Sequence, residues 1–264
     1  MMSGQASQTS SPLLSIEGVS KHFGGVTAIE GLSFETFSGQ IKAVIGPNGA
    51  GKTTLFNVIS GIIPADQGTV RFAGSRTNGR PPQKVAEMGI GRTFQSIRLF
   101  RNMTALENVM VGYHPRSRCG IWSALFRLPR TFSEELEIRR RSLEALEFCE
   151  ARDAADKMPD KLDFGLRRRV ELARTLVSKP RIVLLDEPAA GLNIRETEDL
   201  GRLIRRVRET GVTVLIVEHD MTLVMNISDE IVVVDHGVKI AEGRPDKIRH
   251  DPKVISVYLG IEET

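Results

Sequence analysis

The sequence predicts an α/β fold with a mainly parallel core sheet, and three observations predict it. Nearly all-apolar strand patterns at 182–186 and 212–217 alternate with amphipathic helical patterns, as in parallel sheets that helices cover on both faces. A glycine-rich loop at 46–51 separates another apolar strand from a helix. A long helical pattern over about 104–180 interrupts this alternation. We therefore expect a helical subdomain, at about residues 96–178, inserted into the parallel core.

The composition is that of an ordinary globular chain. Of its 264 residues, 41% are hydrophobic and 26% are charged, and no apolar run approaches the roughly 18 residues that cross a bilayer. The polar residues 1–12 lack the charged and apolar regions of a secretion signal, so we expect a disordered tail, a cytoplasmic location and a single domain over 13–264. Cys119 and Cys149 lack metal-ligand spacing and predict neither a disulfide framework nor a zinc site.

The first elements predict an antiparallel β subdomain beside the core. Short β-like runs fill residues 13–45 and are separated by glycine-containing turns. The alternating run 69–73 belongs with them, whereas the more apolar run 41–45 leads into the glycine-rich loop.

The later elements follow from hydrophobic periodicity. Apolar residues recur at helical spacing in three segments: Leu136, Leu143, Leu146 and Cys149; Val170, Ala173 and Val177; and Leu200, Leu203, Ile204 and Val207. A further strand at 230–235 is followed by a hairpin-like segment at 236–243.

Residues 46–54 match the phosphate-binding motif G-x-x-x-x-G-K-[ST] between a predicted strand and a predicted helix. Its members are Gly46, Pro47, Asn48, Gly49, Ala50, Gly51, Lys52, Thr53 and Thr54. The glycines let backbone N–H groups surround phosphate oxygens, while the helix N-terminus and Lys52 add positive charge. Thr53 offers a hydroxyl to Mg²⁺. The motif predicts binding of a nucleoside triphosphate, and a glycine-rich turn without a ligand is the minor alternative.

Asp186 and Glu187 follow directly on an apolar strand. Two adjacent carboxylates in a dry place repel each other unless a cation is near. A strand end beside the phosphate loop lets Asp186 hold magnesium and lets Glu187 polarise the attacking water. A simple turn starting at Pro188 is the alternative. ATP is favoured over GTP because no N/T-K-x-D guanine-reading motif follows a later strand.

Three basic runs lie in helix-like segments that also carry glutamate. Arg139–Arg141 and Arg205–Arg206 are interpreted as solvated helix faces. Arg167–Arg169 stays open as a phosphate contact, which keeps a nucleic-acid-associated ATPase as a competing function. A small-molecule kinase is a third reading, but it needs an acceptor site and a lid that the sequence does not suggest.

Two further polar residues are candidates for the site. His219 comes just after the strand at 212–217, at the expected carboxyl edge of the sheet, and Gln95 lies at the mouth of the inserted helical region. In the order phosphate loop, Gln95, acidic pair and His219, the chain resembles the ATP-binding subunits of ABC transporters over about residues 13–260.

The resemblance implies roles for several residues. It implies a P-loop NTPase with a RecA-like core sheet, an ABC ATPase domain that hydrolyses ATP. Phe23 would stack on adenine, Gln95 would sense magnesium and the attacking water, and His219 would contact the γ-phosphate. The same resemblance implies a face-to-face dimer, as homodimer or heterodimer, that drives transmembrane permease subunits.

The signature segment departs from the L-S-G-G-Q pattern of that family. Leu162 and Gly165 are retained, but Asp163, Phe164 and Leu166 replace Ser, Gly and Gln. In the family this segment caps the nucleotide of the opposite subunit. An ionised carboxylate cannot donate to phosphate, so either Asp163 is a helix N-cap and backbone N–H groups near Gly165 bind, or dimer closure is weakened; the N-cap is favoured.

Asn193 replaces the aspartate that the family carries after its acidic pair, which keeps hydrogen bonds but removes a charge. We group Asp163, Phe164, Gly165 and Asn193 as the residues expected to contact ATP in trans.

A narrower resemblance points to a type of transporter. Residues 46–61, 91–112 and 251–260 are similar to the ATPases of branched-chain amino acid importers. Related importers of urea, short amides and aromatic acids share these features. The resemblance implies a peripheral subunit at the cytoplasmic face of the inner membrane, bound through its permease. It implies a periplasmic solute-binding protein as an indirect partner and no nucleic acid. Residues 96–103 suit a groove for a permease helix, although Leu99 and Phe100 are equally compatible with the core.

Overall fold

A computed structural model describes residues 11–113 and 129–259, with side chains described except at 129–132 and 259. Most of the predicted tail, and Cys119, lie outside the described residues. No helix within the described ranges is long and apolar enough to cross a bilayer.

Two sheets organise the described chain. The antiparallel sheet has the order β2-β1-β4-β5. Its strands are β1 Leu14–Phe23, β2 Val26–Thr36, β4 Gln67–Phe72 and β5 Ser75–Arg76. The core sheet has the order β10-β9-β3-β8-β7-β6. Its strands are β3 Ile41–Ile45, β6 Ile90–Arg92, β7 Ile182–Asp186, β8 Thr213–Val217, β9 Glu230–Asp235 and β10 Val238–Gly243. All neighbours in the core sheet pair in parallel except β9 and β10, which form the predicted hairpin.

The helices of the described ranges lie between and around these strands. They are α1 Lys52–Ile59, α2 Pro82–Glu87, α3 Ala105–Val111, α4 Pro129–Phe148, α5 Phe164–Leu176, α6 Ile194–Glu209, α7 Met221–Ile227, α8 Pro245–Arg249 and α9 Pro252–Leu259. Two short 3₁₀ turns, Arg152–Ala154 and Pro159–Lys161, connect α4 to α5. Helices α3, α4 and α5 pack against one another, so the α/β fold with antiparallel and inserted helical parts is confirmed.

The core sheet is buried on both faces. Every residue of β3, β7 and β8 is buried, and alternate residues face different apolar clusters. Ala43 faces the cluster that includes the helical subdomain, whereas Val44 faces the cluster shared with the antiparallel sheet. This burial explains why these strands read as continuous apolar runs.

One periodicity prediction holds only in part. Leu146 of α4 and Cys149, just after its end, are buried and Leu143 is partly buried, but Leu136 is 53% exposed. The predicted helical face is therefore correct only for the C-terminal half of α4, because the N-terminal half does not lie against the core at Leu136.

Parallel register brings distant residues to one edge of the sheet. Asp186 lies opposite Val217, Val217 lies opposite Val44, and Arg92 lies opposite Leu184. The carboxyl ends of β3, β6, β7 and β8 therefore meet where the phosphate loop begins, as expected for ligand sites in parallel sheets.

Candidate functional site

The phosphate loop, residues 46–53, runs from the end of β3 into α1. Gly46 has φ 155° and Gly51 has φ 94°. A Cβ atom at Gly46 would lie 1.9 Å from the carbonyl oxygen of Val234, and one at Gly51 would lie 2.2 Å from that of Ala28. Both positions therefore require glycine, because neighbouring backbone approaches too closely for any side chain.

Lys52 bends back over this loop. Its side chain is buried, and its Nζ donates to the carbonyl oxygens of Gly46 at 2.7 Å and Pro47 at 2.8 Å. Burial lowers the pKa of Lys52, and the nearby carboxylates of Glu187 and Asp186 oppose that shift. The loop thus holds one cation near two carboxylates.

The remaining loop residues differ in exposure. Asn48, Gly49 and Thr53 are exposed, Pro47 and Thr54 are partly buried, and Ala50 is buried. The Ala50 carbonyl accepts from the N–H of Gly237 at 3.2 Å, in the turn between β9 and β10. Tyr258 in α9 is 40% exposed, and partial burial raises the pKa of its hydroxyl to about 12. The turn between β9 and β10 therefore supports the loop at Ala50.

Asp186 ends β7 and is almost completely buried, at 1% exposure. Its Oδ2 accepts from Arg92 Nη2 at 3.1 Å, whereas its Oδ1 is buried without a hydrogen-bond partner among the described residues. Burial raises the pKa of Asp186, and Arg92 opposes the shift. A buried carboxylate oxygen without a partner beside the phosphate loop fits a divalent cation that also binds phosphate.

Arg92 is a site residue that the sequence analysis missed. Besides Asp186, its guanidinium donates to Asn57 Oδ1 in α1 at 2.8 Å and to Oγ of Ser60, the C-cap of α1, at 2.7 Å. It also lies near the rings of Phe56 and Phe94, 5.8 Å and 5.1 Å from their centroids. The sequence pattern predicted no strand at 90–92, so nothing in it pointed to Arg92 as a site residue.

Glu187 adopts a strained backbone conformation, with φ 45°, which costs a non-glycine residue energy and marks functional positions. Its Oε2 accepts from Gln95 Nε2 at 2.8 Å and lies 3.9 Å from His219 Nδ1. Gln95, Glu187 and His219 come from three separate loops, and the structure brings them together at one point.

Glu218 is a second residue that the sequence analysis passed over. Its fully buried carboxylate accepts from the backbone N–H groups of Ala189 at 2.7 Å, His219 at 2.9 Å and Asp220 at 3.2 Å. It therefore joins the turn after β7 to the turn after β8, which sets the spacing between Glu187 and His219.

Phe23 lies at the hairpin end of β1, on the strand pair that contacts α1 through β2. Its ring is 48% exposed and has Lys21 Nζ 5.4 Å from its centroid. An exposed ring at this place is free to stack on a flat ligand.

The signature residues form a surface with the loop after β7. Asp163 is the N-cap of α5, where its Oδ1 accepts from the N–H of Leu166 at 2.7 Å. Phe164 is 42% exposed and lies against Gly191, where an added Cβ would be 3.1 Å from the ring. Asn193 caps α6 in a reciprocal pair with Glu196. Within the described residues, no hydrogen bond joins Asp163, Phe164, Gly165 or Asn193 to the phosphate loop.

The Arg167–Arg169 run is engaged within the chain. Arg167 Nε donates to Leu162 O at 2.8 Å, Arg169 pairs with Glu150, and Arg168 is buried. Arg206 has a side chain that is 42% exposed, so it lies on a solvated helix face, where it pairs with Glu150 at 2.6 Å and donates to Phe148 O.

A family model described as ABC transporter matches residues 29–190, which is more than half of the chain. The chain belongs to the ABC transporter family. This ABC cassette is an ATPase. A second family model, described as branched-chain amino acid ATP-binding cassette transporter, matches residues 238–264.

Individual relatives resemble this ABC cassette along nearly its whole length. The high-affinity branched-chain amino acid transport ATP-binding protein BraF of Pseudomonas aeruginosa is 43% identical over 252 residues, covering 95% of this chain and 99% of that protein. A crystal structure of MJ1267, an ATP-binding cassette of an ABC transporter in its ADP conformation, has a TM-score of 0.82 at 31% identity and covers 95% of this chain and 100% of that chain. The dimeric post-hydrolysis structure of MJ0796 with ADP and Pi has a TM-score of 0.75 at 26% identity, covering 88% and 98%.

Proposed function

We propose that this chain binds and hydrolyses ATP to power an importer of branched-chain amino acids, or of a related small polar solute such as urea, an amide or an aromatic acid. The observation that carries the proposal is the meeting of Glu187, Gln95 and His219 beside the phosphate loop. The name of BraF and the model that matches residues 238–264 support the cargo class.

The phosphate loop supplies the binding charge. Lys52 now donates to two carbonyl oxygens of its own loop, and phosphate oxygens are stronger acceptors for an ammonium. When ATP binds, Lys52 exchanges these carbonyl oxygens for the terminal phosphates. The loop N–H groups and the N-terminus of α1 bind the remaining phosphate oxygens. Phe23 stacks on the adenine.

Magnesium is the cation that the site would hold. Thr53, Asp186 and Gln95 are its proposed ligands, with the unpartnered Asp186 Oδ1 as the strongest indication. When bound, the ion neutralises phosphate charge and orients the reacting group. Arg92 holds the other carboxylate oxygen of Asp186, so Oδ1 is the oxygen left to face the ion.

Glu187 is the residue that orients and polarises the attacking water. Gln95 already donates to its carboxylate at 2.8 Å, and His219 Nδ1 lies 3.9 Å from the same oxygen. His219 is the proposed contact with the γ-phosphate. The hydrogen bond from Gln95 holds the carboxylate of Glu187 in place before the nucleotide arrives. The three side chains thus divide positioning, proton acceptance and charge stabilisation among them.

A second ATPase subunit, identical or different, completes the site. The carboxylate of Asp163 accepts a hydrogen bond at the N-cap of α5 and has no hydrogen to donate to phosphate. The backbone N–H groups around Gly165 are therefore the donors that α5 presents to the nucleotide across the dimer. Phe164 and Asn193 belong to the same contact surface.

Transmembrane permease subunits are the partners that place the chain at the cytoplasmic face of the inner membrane. Phe100 is 51% exposed in the segment after Gln95, whereas Leu99 is partly buried against the core. Phe100 is therefore the proposed contact with a permease helix. A periplasmic binding protein acts only indirectly. The engagement of Arg167–Arg169 within the chain weighs against the nucleic-acid alternative.

The test is Glu187→Gln. The amide keeps the size and the contact with Gln95 but cannot accept a proton, so we expect ATP binding within about threefold of wild type and a turnover at least about 100-fold lower. Binding is measured calorimetrically and turnover by phosphate release. Unchanged turnover would overturn the assignment of Glu187, and absence of ATP hydrolysis by the wild-type chain would overturn the proposed function.

A further inference from the structure

Arg168 is a buried arginine with an unusual set of acceptors. It lies in the second turn of α5 and its residue is only 6% exposed. Nη1 donates to the carbonyl oxygen of Phe94 at 3.0 Å, and Nη2 donates to that of Gln95 at 2.7 Å. Nη2 also lies 3.5 Å from the carbonyl oxygen of Glu187.

These carbonyl groups belong to the two backbone segments that carry Gln95 and Glu187. The segment at Glu187 is strained, and such strain persists only where surrounding groups hold the backbone. Arg168 is the side chain of α5 that bridges both segments. It therefore ties the helix of the signature segment to the point where Gln95 and Glu187 meet.

A second contact offers a plainer role for Arg168. The carboxylate of Glu171, one turn further along α5, is 1% exposed and lies 3.4 Å from Arg168 Nη1. Burial raises the pKa of Glu171, and Arg168 is the first of the cations that oppose the shift. Arg168 could thus serve only to neutralise a buried carboxylate, which costs several kcal/mol when left unpaired. The two roles make different predictions.

We propose that Arg168 is a positioning residue for ATP hydrolysis, which sets the backbone of Gln95 and Glu187 from the signature helix of the same subunit. The inference rests on the proposed function of those two residues. The planar guanidinium reaches several carbonyls at fixed angles, which an ammonium cannot do. The ring of Phe164, 5.4 Å from the guanidinium, extends this link to the surface expected to contact the second subunit.

We expect replacement of Arg168 to lower kcat and to leave KM nearly unchanged. In the part of the chain that the structure describes, Arg168 has no hydrogen bond to the phosphate loop, so ATP binding should change by less than about threefold in Arg168→Met and Arg168→Lys. Misplacing reacting groups by about 1 Å can lower a rate by about 100-fold, and we expect kcat to fall at least about tenfold in both variants.

Two further variants separate the roles. Arg169→Met makes the same change one residue along α5, where the arginine pairs with Glu150 and Asp199, and it should keep kcat within about twofold. The pair Arg168→Met with Glu171→Gln removes the buried charge together with its partner. If Arg168 only neutralises Glu171, this pair restores kcat, which would overturn the proposal; a persistent loss supports it.

The wild-type chain and Glu187→Gln accompany every assay. If the wild type hydrolyses ATP and Arg168→Lys has the same kcat, only the proposal about Arg168 is overturned. If the wild type does not hydrolyse ATP, the proposed function is overturned. Thermal unfolding identifies variants that do not fold. If Arg168→Met fails to fold, Arg168→Lys and the double variant decide the question, because the first keeps a cation at position 168 beside Arg174 and the second removes the carboxylate of Glu171.

Discussion

Asp186 shows how much a single residue depends on its surroundings. Its position after an apolar strand predicted a magnesium ligand, and its burial with one unpartnered oxygen fits that role. The sequence around Asp186 does not reveal its partner. Arg92, 94 residues away in the chain, donates to the other carboxylate oxygen. A buried carboxylate needs such a partner, since its desolvation costs several kcal/mol.

Asp66 provides a prediction about pH at the residue scale. The hydrogen bond from Lys21, at 2.6 Å, and the one from the N–H of His22, at 2.7 Å, lower the pKa of Asp66 from 3.8 to about 2. Because the folded pKa is the lower one, its stabilising contribution is complete above the unfolded pKa and is lost as pH falls through the folded pKa.

We therefore expect Asp66→Asn to lower the urea midpoint near neutral pH and the difference from wild type to shrink below about pH 4. Urea unfolding at several pH values measures it. A difference that stays constant with pH would contradict the ion-paired state of Asp66.

At the scale of elements, the stability of α5 depends on its N-cap residue, Asp163. Asp163 accepts from the N–H of Leu166 at 2.7 Å, and replacing an N-cap by alanine costs about 1 kcal/mol. We expect Asp163→Ala to lower the free energy of unfolding by about that amount. Serine keeps an acceptor at the same place, so Asp163→Ser should remain within a few tenths of a kcal/mol of wild type.

Chemical denaturation of the three proteins checks the cap. Equal stability of Asp163→Ala and wild type would mean that the carboxylate does not cap α5 in solution. The carboxylate would then be available at the signature surface, where it would repel phosphate.

At the scale of the whole molecule, the exposed ring of Phe100 concerns the partner. Its backbone is fixed by Asn108, whose Oδ1 accepts from the Phe100 N–H at 2.7 Å and whose Nδ2 donates to the Phe100 carbonyl at 3.1 Å. The ring itself can change without disturbing this pair. We expect Phe100→Glu to abolish co-purification with the permease, because a charge replaces an apolar contact.

Ile62, which is 45% exposed after α1, supplies a matched control. Ile62→Glu should still co-purify, and both variants should keep the wild-type unfolding temperature. Retained co-purification of a folded Phe100→Glu chain would remove this segment from the permease contact.

The sequence by itself determined the features that depend on residues close together in the chain. Glycine spacing before a helix predicted the phosphate loop and apolar runs predicted buried parallel strands, because each depends on neighbours along the chain. The family resemblance located the signature segment, in which Asp163 was favoured as an N-cap, and Asp163 caps α5 in the structure. Only the tertiary structure decided which side chains meet. Arg92 with Asp186, Arg168 with Gln95 and Glu187, and Glu218 with Ala189 join segments far apart in the chain. Strand register and helix packing set those pairings, and no short stretch of residues encodes either.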